Sequence, residues 1–246
     1  MANPVLNERV FSSNLESEHE NVMTINGTIL KTCFLGLLTA ITFAYNWGLI
    51  LSGFADKAIT LSKFGLWGGV ILCLIVCFGP KNRFLMFTTS LYALCEGLIL
   101  GFISAVVNTR FPGVASQAAI GTFFALFSMF LLYKTNIIKC TNTFKKVLLT
   151  STFAIFGIYL LQIILNLFHL NIPAIFSNSP IGIVFSIIVV AVASFNLIID
   201  FDLIENLSNK VDKAFEWYCG FSLLVTIIWM YIEILNLLMK LQSRNN

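Results

Sequence analysis

Charge is what this sequence has least of. Only 11% of its 246 residues are charged, 15 Lys and Arg against 12 Asp and Glu, while 58% are hydrophobic. A soluble globular domain carries roughly 25% charged residues, so the chain lacks the material to cover a water-facing surface of its size. Its outer surface must face something apolar. Histidine is nearly absent as well, with His19 in the polar start and His169 at the end of the fifth apolar run. That makes a metal centre a poor reading. A secretory signal is also missing. Residues 1–28 are polar and carry Glu8, Glu16, Glu18 and Glu20, whereas a signal needs a basic start followed by an apolar core. They read as a cytoplasmic tail.

Long apolar runs take the place of charge. Seven can be marked, at residues 33–51, 64–79, 84–107, 114–132, 147–168, 181–199 and 215–239. Each approaches the roughly 20 residues that a helix needs to cross a bilayer. Runs of this length exclude the short alternating strands of an outer-membrane barrel, and lipid offers a backbone N–H or C=O no partner, so the spans must be helices. The expected fold is an all-α integral membrane protein with seven transmembrane helices. The tail (1–28) precedes one membrane domain (29–241) and a short C-terminal tail (242–246). Gly79-Pro80-Lys81-Asn82-Arg83 links the second and third spans, residues 108–113 link the third and fourth, and Pro173 and Pro180 precede the sixth. A six-span arrangement with a re-entrant seventh segment is the alternative.

Orientation follows from Lys and Arg. With the N-terminus inside, Arg9, Lys31, Lys81, Arg83, Lys134, Lys139, Lys145, Lys146, Lys210 and Lys213 are internal, and Lys57, Lys63, Arg110, Lys240 and Arg244 are external. This two-to-one bias predicts a cytoplasmic N-terminus and an external C-terminus. The abundance of Lys, Asn, Ile and Phe suits a bacterium with an AT-rich genome, hence an inner-membrane location.

The six cysteines, Cys33, Cys73, Cys77, Cys95, Cys140 and Cys219, mostly fall inside spans and show no paired spacing except Cys73/Cys77. They read as small apolar residues. Asn26-Gly27-Thr28 and Asn206-Leu207-Ser208 match the glycosylation pattern but fall on the predicted cytoplasmic side, so they read as chance matches.

The informative residues are acids in the spans: Glu96 in the third, Glu233 in the seventh, and Asp200 at the inner end of the sixth. An ionisable group in a span is expensive and usually faces a bundle interior or a water-filled cavity. The bland reading is a structural hydrogen bond to another helix; the functional one is a proton- or cation-handling site. Ser222, Thr226, Trp229, Glu233, Asn236 and Lys240 follow at steps of three or four, which puts them on one helical stripe. Ser186, Ala193, Asn196 and Asp200 share a face of the sixth span, and Thr89, Ala93 and Glu96 one of the third. Gly97/Gly101 and Gly65/Gly69 are small-xxx-small pairs that let helices approach closely. Glu96 is expected to face inward, hydrogen-bonded to a neighbouring helix or to water.

Three runs carry a family resemblance. Tyr92-Ala93-Leu94-Cys95-Glu96-Gly97-Leu98-Ile99-Leu100-Gly101, Ile199-Asp200-Phe201-Asp202-Leu203-Ile204-Glu205 and Met230-Tyr231-Ile232-Glu233-Ile234-Leu235-Asn236-Leu237-Leu238 resemble the third-, sixth- and seventh-span signatures of the Bax inhibitor family. Asn3-Pro4-Val5-Leu6 and Phe111-Pro112-Gly113 look like its bacterial branch. The resemblance covers nearly the whole chain. It implies six helices around a central seventh and a pH-dependent calcium leak closed by two carboxyls that share a proton. By motif position these are Asp200 and Glu233. Asp202 and Glu205 would then make an acidic cytoplasmic vestibule, the alternative being a solvated helix end. The sequence departs from the family pattern in having Glu233 where Asp is usual and a longer stretch through residues 206–216. If that stretch is a loop, Asp200 sits near the membrane edge and Glu233 deeper; if the sixth helix instead continues to about Asn209, the two still differ by several turns. Should contact be prevented, Asp200 becomes a mouth residue and Glu233 pairs elsewhere, with Glu96 the first choice.

Other activities fit poorly. A retinal pump needs a buried Lys in the last span before Lys240, and none exists. A rhomboid-type protease needs Gly-x-Ser-Gly with a His partner, and an intramembrane aspartyl protease needs Gly-x-Gly-Asp; neither is in place. No enzyme activity, cofactor or nucleic-acid partner is expected. The bilayer and a permeant cation, calcium or another, are the expected partners. A secondary transporter is the main rival, weakened by the lack of two repeated halves, and a non-transporting scaffold is the third reading.

Overall fold

The structure is a computed structural model that describes residues 22–81, 84–168 and 173–245. The acids of the tail, the Asn3–Leu6 motif, Arg83, both histidines and Asn246 lie outside the described residues. Seven helices are long and apolar enough to cross a membrane: α1 (Ile25–Leu51), α2 (Ala55–Phe78), α3 (Leu85–Arg110), α4 (Val114–Lys134), α5 (Asn142–Leu167), α6 (Pro180–Leu207) and α7 (Phe215–Asn245). One helical turn, Pro173–Phe176, precedes α6. The seventh helix is a full span of 31 residues, so the re-entrant alternative is set aside.

The helices extend the apolar runs into their polar flanks because backbone hydrogen bonding continues until a cap or turn stops it. Thr24 caps α1 by accepting from the Gly27 N–H, so residues 25–28 belong to the first span rather than to the tail. Thr141 caps α5 through the Phe144 N–H, five residues earlier than the apolar run suggests. Pro180 opens α6 at the position where its missing N–H costs nothing. Two boundaries bear on function. The sixth helix takes the longer of its two expected courses, running seven residues past Asp200 to Leu207. The link to α7 is therefore residues 208–214, turned at Asn209 with φ 61°, and most of the apparent insertion is helix or this short turn.

Burial separates the helices. In their most apolar stretches α6 and α7 are each 56% buried and α3 44%, against 11% for α5 and 17% for α1 and α2. The expected central helix, α7, is thus matched in burial by α6. The outer helices expose Leu30, Trp67, Phe123, Phe156 and Ile163, apolar surface that only lipid would accept without penalty.

The chain divides into two compact units. One comprises, among the described residues, 22–81, 84–112 and 203–225. In it α3 lies against α1 and α2, and the glycine pairs make both approaches possible. A Cβ at Gly97 would overlap Thr42 Oγ1 and the Thr39 carbonyl of α1, and one at Gly101 would overlap the Phe43 carbonyl. One at Gly65 would come within 2.7 Å of the Cys95 carbonyl of α3. Buried Asn46 adds polar links, donating to Ser62 Oγ at 2.9 Å and to the Leu98 carbonyl at 2.6 Å. The other unit comprises, among the described residues, 113–168, 173–202 and 226–245. Its core joins Leu148 and Ile155 of α5 to Val189, Val192 and Ile199 of α6, with Phe144, Phe185 and Trp229 packed around them.

Candidate functional site

The polar stripes of the sixth and seventh spans face inward. Ser186, Ala193, Asn196 and Asp200 on α6 are all buried, as are Ser222, Thr226 and Glu233 on α7. Polar side chains hold the two helices in one antiparallel register. Thr226 Oγ1 donates to Asp200 Oδ2 at 2.6 Å, Ser194 Oγ lies 3.4 Å from Met230 Sδ, and Lys240 Nζ donates to Ser186 Oγ at 2.9 Å. The α6 number falls as the α7 number rises, as antiparallel packing requires.

This register places the two carboxyls. Asp200 is fully buried at the level of Thr226, so it is not the mouth residue that a helix ending there would have made it. Glu233 stands seven residues beyond Thr226 along α7, about 10 Å at 1.5 Å per residue. Its carboxyl receives different donors. The Tyr159 hydroxyl of α5 lies 2.8 Å from Oε1 and 2.9 Å from Oε2, and Trp229 Nε1 donates to Oε1 at 3.2 Å. The expected direct pair is thus resolved into two carboxyl sites two helical turns apart on one seam. Asp200 ties α6 to α7 and Glu233 ties α7 to α5.

The remaining expected residues are dispersed. Glu96 is half-buried on α3. Its carboxyl lies beside α2, 3.2 Å from where a Cβ on Gly69 would stand. Its carboxyl also interacts with Tyr92, one turn earlier on its own helix. Asp202 forms an ion pair of 2.5 Å with Lys145. Its charge is already offset, so the two-residue acidic vestibule is not what the structure presents. Glu205 is exposed on the last turns of α6. Cys140, in the link before α5, is held beside Asp202; burial first and that carboxylate second push its thiol up to about 12.

One further acid escaped the sequence reading. Glu216, in the first turn of α7, is buried and ion-paired with Lys31 of α1. Glu216 Oε1 also accepts from the Thr24 N–H at 2.8 Å and the Thr24 hydroxyl at 2.9 Å. Gly27 leaves room for this carboxyl, since a Cβ there would overlap it. Beside it residues 22–23 bond to the α6–α7 link. The Met23 N–H donates to the Val211 carbonyl at 2.8 Å, and the Asn209 N–H to the Met23 carbonyl at 2.9 Å. The sequence places Lys31 just before the first apolar run and so gives no sign of this pairing; only the helix starting at Ile25 puts it inside a span.

The family model of Bax inhibitor 1 like proteins matches residues 3–243. The chain belongs to the Bax inhibitor family. Searches among curated proteins and among solved structures gave no match. Membership accounts for the three signature runs. In this Bax inhibitor family member the sixth- and seventh-span signatures form the α6–α7 seam, and the third-span signature places Glu96 against α2. No group of three or more His, Cys, Asp or Glu side chains suited to a metal ion occurs among the described residues. A cation on this seam would meet single carboxyls, hydroxyls and carbonyls.

Proposed function

We propose that this protein is a pH-sensitive cation leak, with calcium as the permeant ion, whose path follows the α6–α7 seam. The observation that carries the reading is the pair of buried acids, Asp200 and Glu233, on one polar stripe between mostly apolar faces. A carboxylate buried away from water is costly unless donors, water or a cation reach it. Thr226 gives Asp200 one donor, and Tyr159 and Trp229 supply Glu233.

The seam is closed while both groups carry protons, because neutral carboxyls accept these few bonds without further solvation. Loss of the protons puts two negative charges about two turns apart in a dry seam. Water and a cation are then drawn in, and oxygen ligands of this kind suit a hard cation. The acids act as successive steps and need not touch. No catalytic step and no cofactor enters this reading. The Lys/Arg distribution supports a cytoplasmic N-terminus, and the bonds between residues 22–23 and the α6–α7 link fit an arrangement with both on one side. A bacterial inner membrane is the proposed location.

Calcium flux into proteoliposomes, followed across pH, tests the proposal. Flux rising with pH is the expected result, and Asp200→Asn and Glu233→Gln should each flatten the dependence. Absence of flux at every pH would favour a scaffold, and flux coupled stoichiometrically to a second ion would favour a transporter.

A further inference from the structure

Lys240, the last polar residue of the α7 stripe, has no role in the reading above. Its ammonium donates to three oxygens: Ser186 Oγ at 2.9 Å, the Gly182 carbonyl at 3.0 Å and the Ile175 carbonyl at 3.1 Å. An ammonium has three N–H donors, and each has an acceptor here. Gly182 and Ser186 occupy successive turns of α6 and are buried; Ile175 belongs to the helical turn before it. The backbone fixes this geometry. A Cβ on Gly182 would overlap the Ser177 carbonyl and stand 2.9 Å from the Ile175 carbonyl, so a side chain there would push the preceding segment away. Asn178 Nδ2 donates to Ser243 Oγ at 2.6 Å and pins the same segment to α7 a turn further on.

Two carbonyls and a hydroxyl, with no carboxylate among them, are the donor set that replaces the water around a monovalent cation. Divalent calcium is usually held with carboxylates. We propose that Ile175 O, Gly182 O and Ser186 Oγ form a binding site for a small monovalent cation, and that the Lys240 ammonium is its tethered occupant. An ammonium group and a potassium ion are close in size and compete for the same oxygens. In transport the tethered charge would close this end of the seam to free cations; that consequence rests on the leak reading, whereas the site itself does not.

The test uses the purified full chain. Thermal unfolding of wild type and Lys240→Ala is compared in choline, potassium and ammonium chloride at equal ionic strength. The variant should unfold several degrees lower in choline, and potassium or ammonium should restore it saturably, while wild type gives one midpoint in all three salts. Equal midpoints for the variant in the three salts, or restoration by choline, would overturn the site. If Lys240→Ala does not fold, Lys240→Cys decides, with identically treated wild type as the control for the native thiols. An ethylammonium methanethiosulfonate adduct should recover the wild-type midpoint and a methyl adduct should not; equal recovery by both refutes the proposal. Calcium flux in liposomes separates the two readings. Cation-dependent stability with no calcium flux from either protein at any pH would leave the site standing and remove the leak.

Discussion

Replacing Gly97 with Ala adds one methyl group where α3 meets α1. Its Cβ would overlap the Thr39 carbonyl, which is backbone and cannot rotate aside, as well as Thr42 Oγ1. Restoring an ordinary C···O separation of about 3.3–3.6 Å requires the helices to part by roughly 1 Å. Overpacking of this kind costs about 1–3 kcal/mol. The same substitution at Gly36 meets nothing within 4 Å, and there Ala gains about 0.5–1 kcal/mol through its helix preference. Gly97 also lies inside a helix and shares that gain, so the two variants should differ by the overpacking cost, about 1–3 kcal/mol, with Gly97→Ala the less stable. Reversible unfolding in mixed micelles, read by circular dichroism against the fraction of denaturing detergent, measures the difference directly. Gly97 adjoins Glu96, so the displacement should also shift that carboxyl relative to Gly69. Equal stability of Gly97→Ala and Gly36→Ala would refute the close approach of α1 and α3.

Further outcomes follow from other parts of the chain. With its thiol pushed up to about 12, Cys140 should be almost wholly protonated at pH 8. Its alkylation should be about 10³-fold slower than that of an ordinary thiol of pKa about 8.5 and should accelerate tenfold per pH unit up to pH 11; rapid labelling at pH 7 would contradict its burial beside Asp202. Tyr159→Phe removes a donor from buried Glu233 and should destabilise the protein by about 1–3 kcal/mol, whereas unchanged unfolding would mean that the bond contributes nothing. A cysteine at Ser243, in a background lacking the native thiols, should label from outside intact cells, and labelling only after permeabilisation would reverse the topology.

Much of this arrangement is legible in the residues because lipid imposes simple rules. Apolar length gives the seven spans, and the three- and four-residue steps of Ser222, Thr226 and Glu233 give the buried face of α7. The glycine pairs point to close packing, and the structure supplies the partner: α1 for Gly97 and α3 for Gly65. Register is less legible. A carboxyl on α6 and one on α7 can share an inward face without sharing a level, and only the Asp200–Thr226 and Ser186–Lys240 contacts fix which level each occupies. The α6 boundary is open in the sequence for a related reason. Asp200, Asp202 and Glu205 follow the apolar run but do not end the helix, since polar residues on the last turns leave backbone bonding intact. Glu216 stayed hidden because its partners, Thr24 and Lys31, are nearly two hundred residues away in the chain, and pairing over that distance leaves no local pattern.

The central claim is that protons on Asp200 and Glu233 control a cation path. Calcium entry into proteoliposomes, measured from pH 5 to pH 9 for wild type, Asp200→Asn and Glu233→Gln, tests it most directly. The account predicts that wild-type flux rises with pH and that each substitution weakens this rise, because a neutral amide can neither lose the proton nor supply the charge. Retention of the wild-type pH dependence by both variants would contradict it.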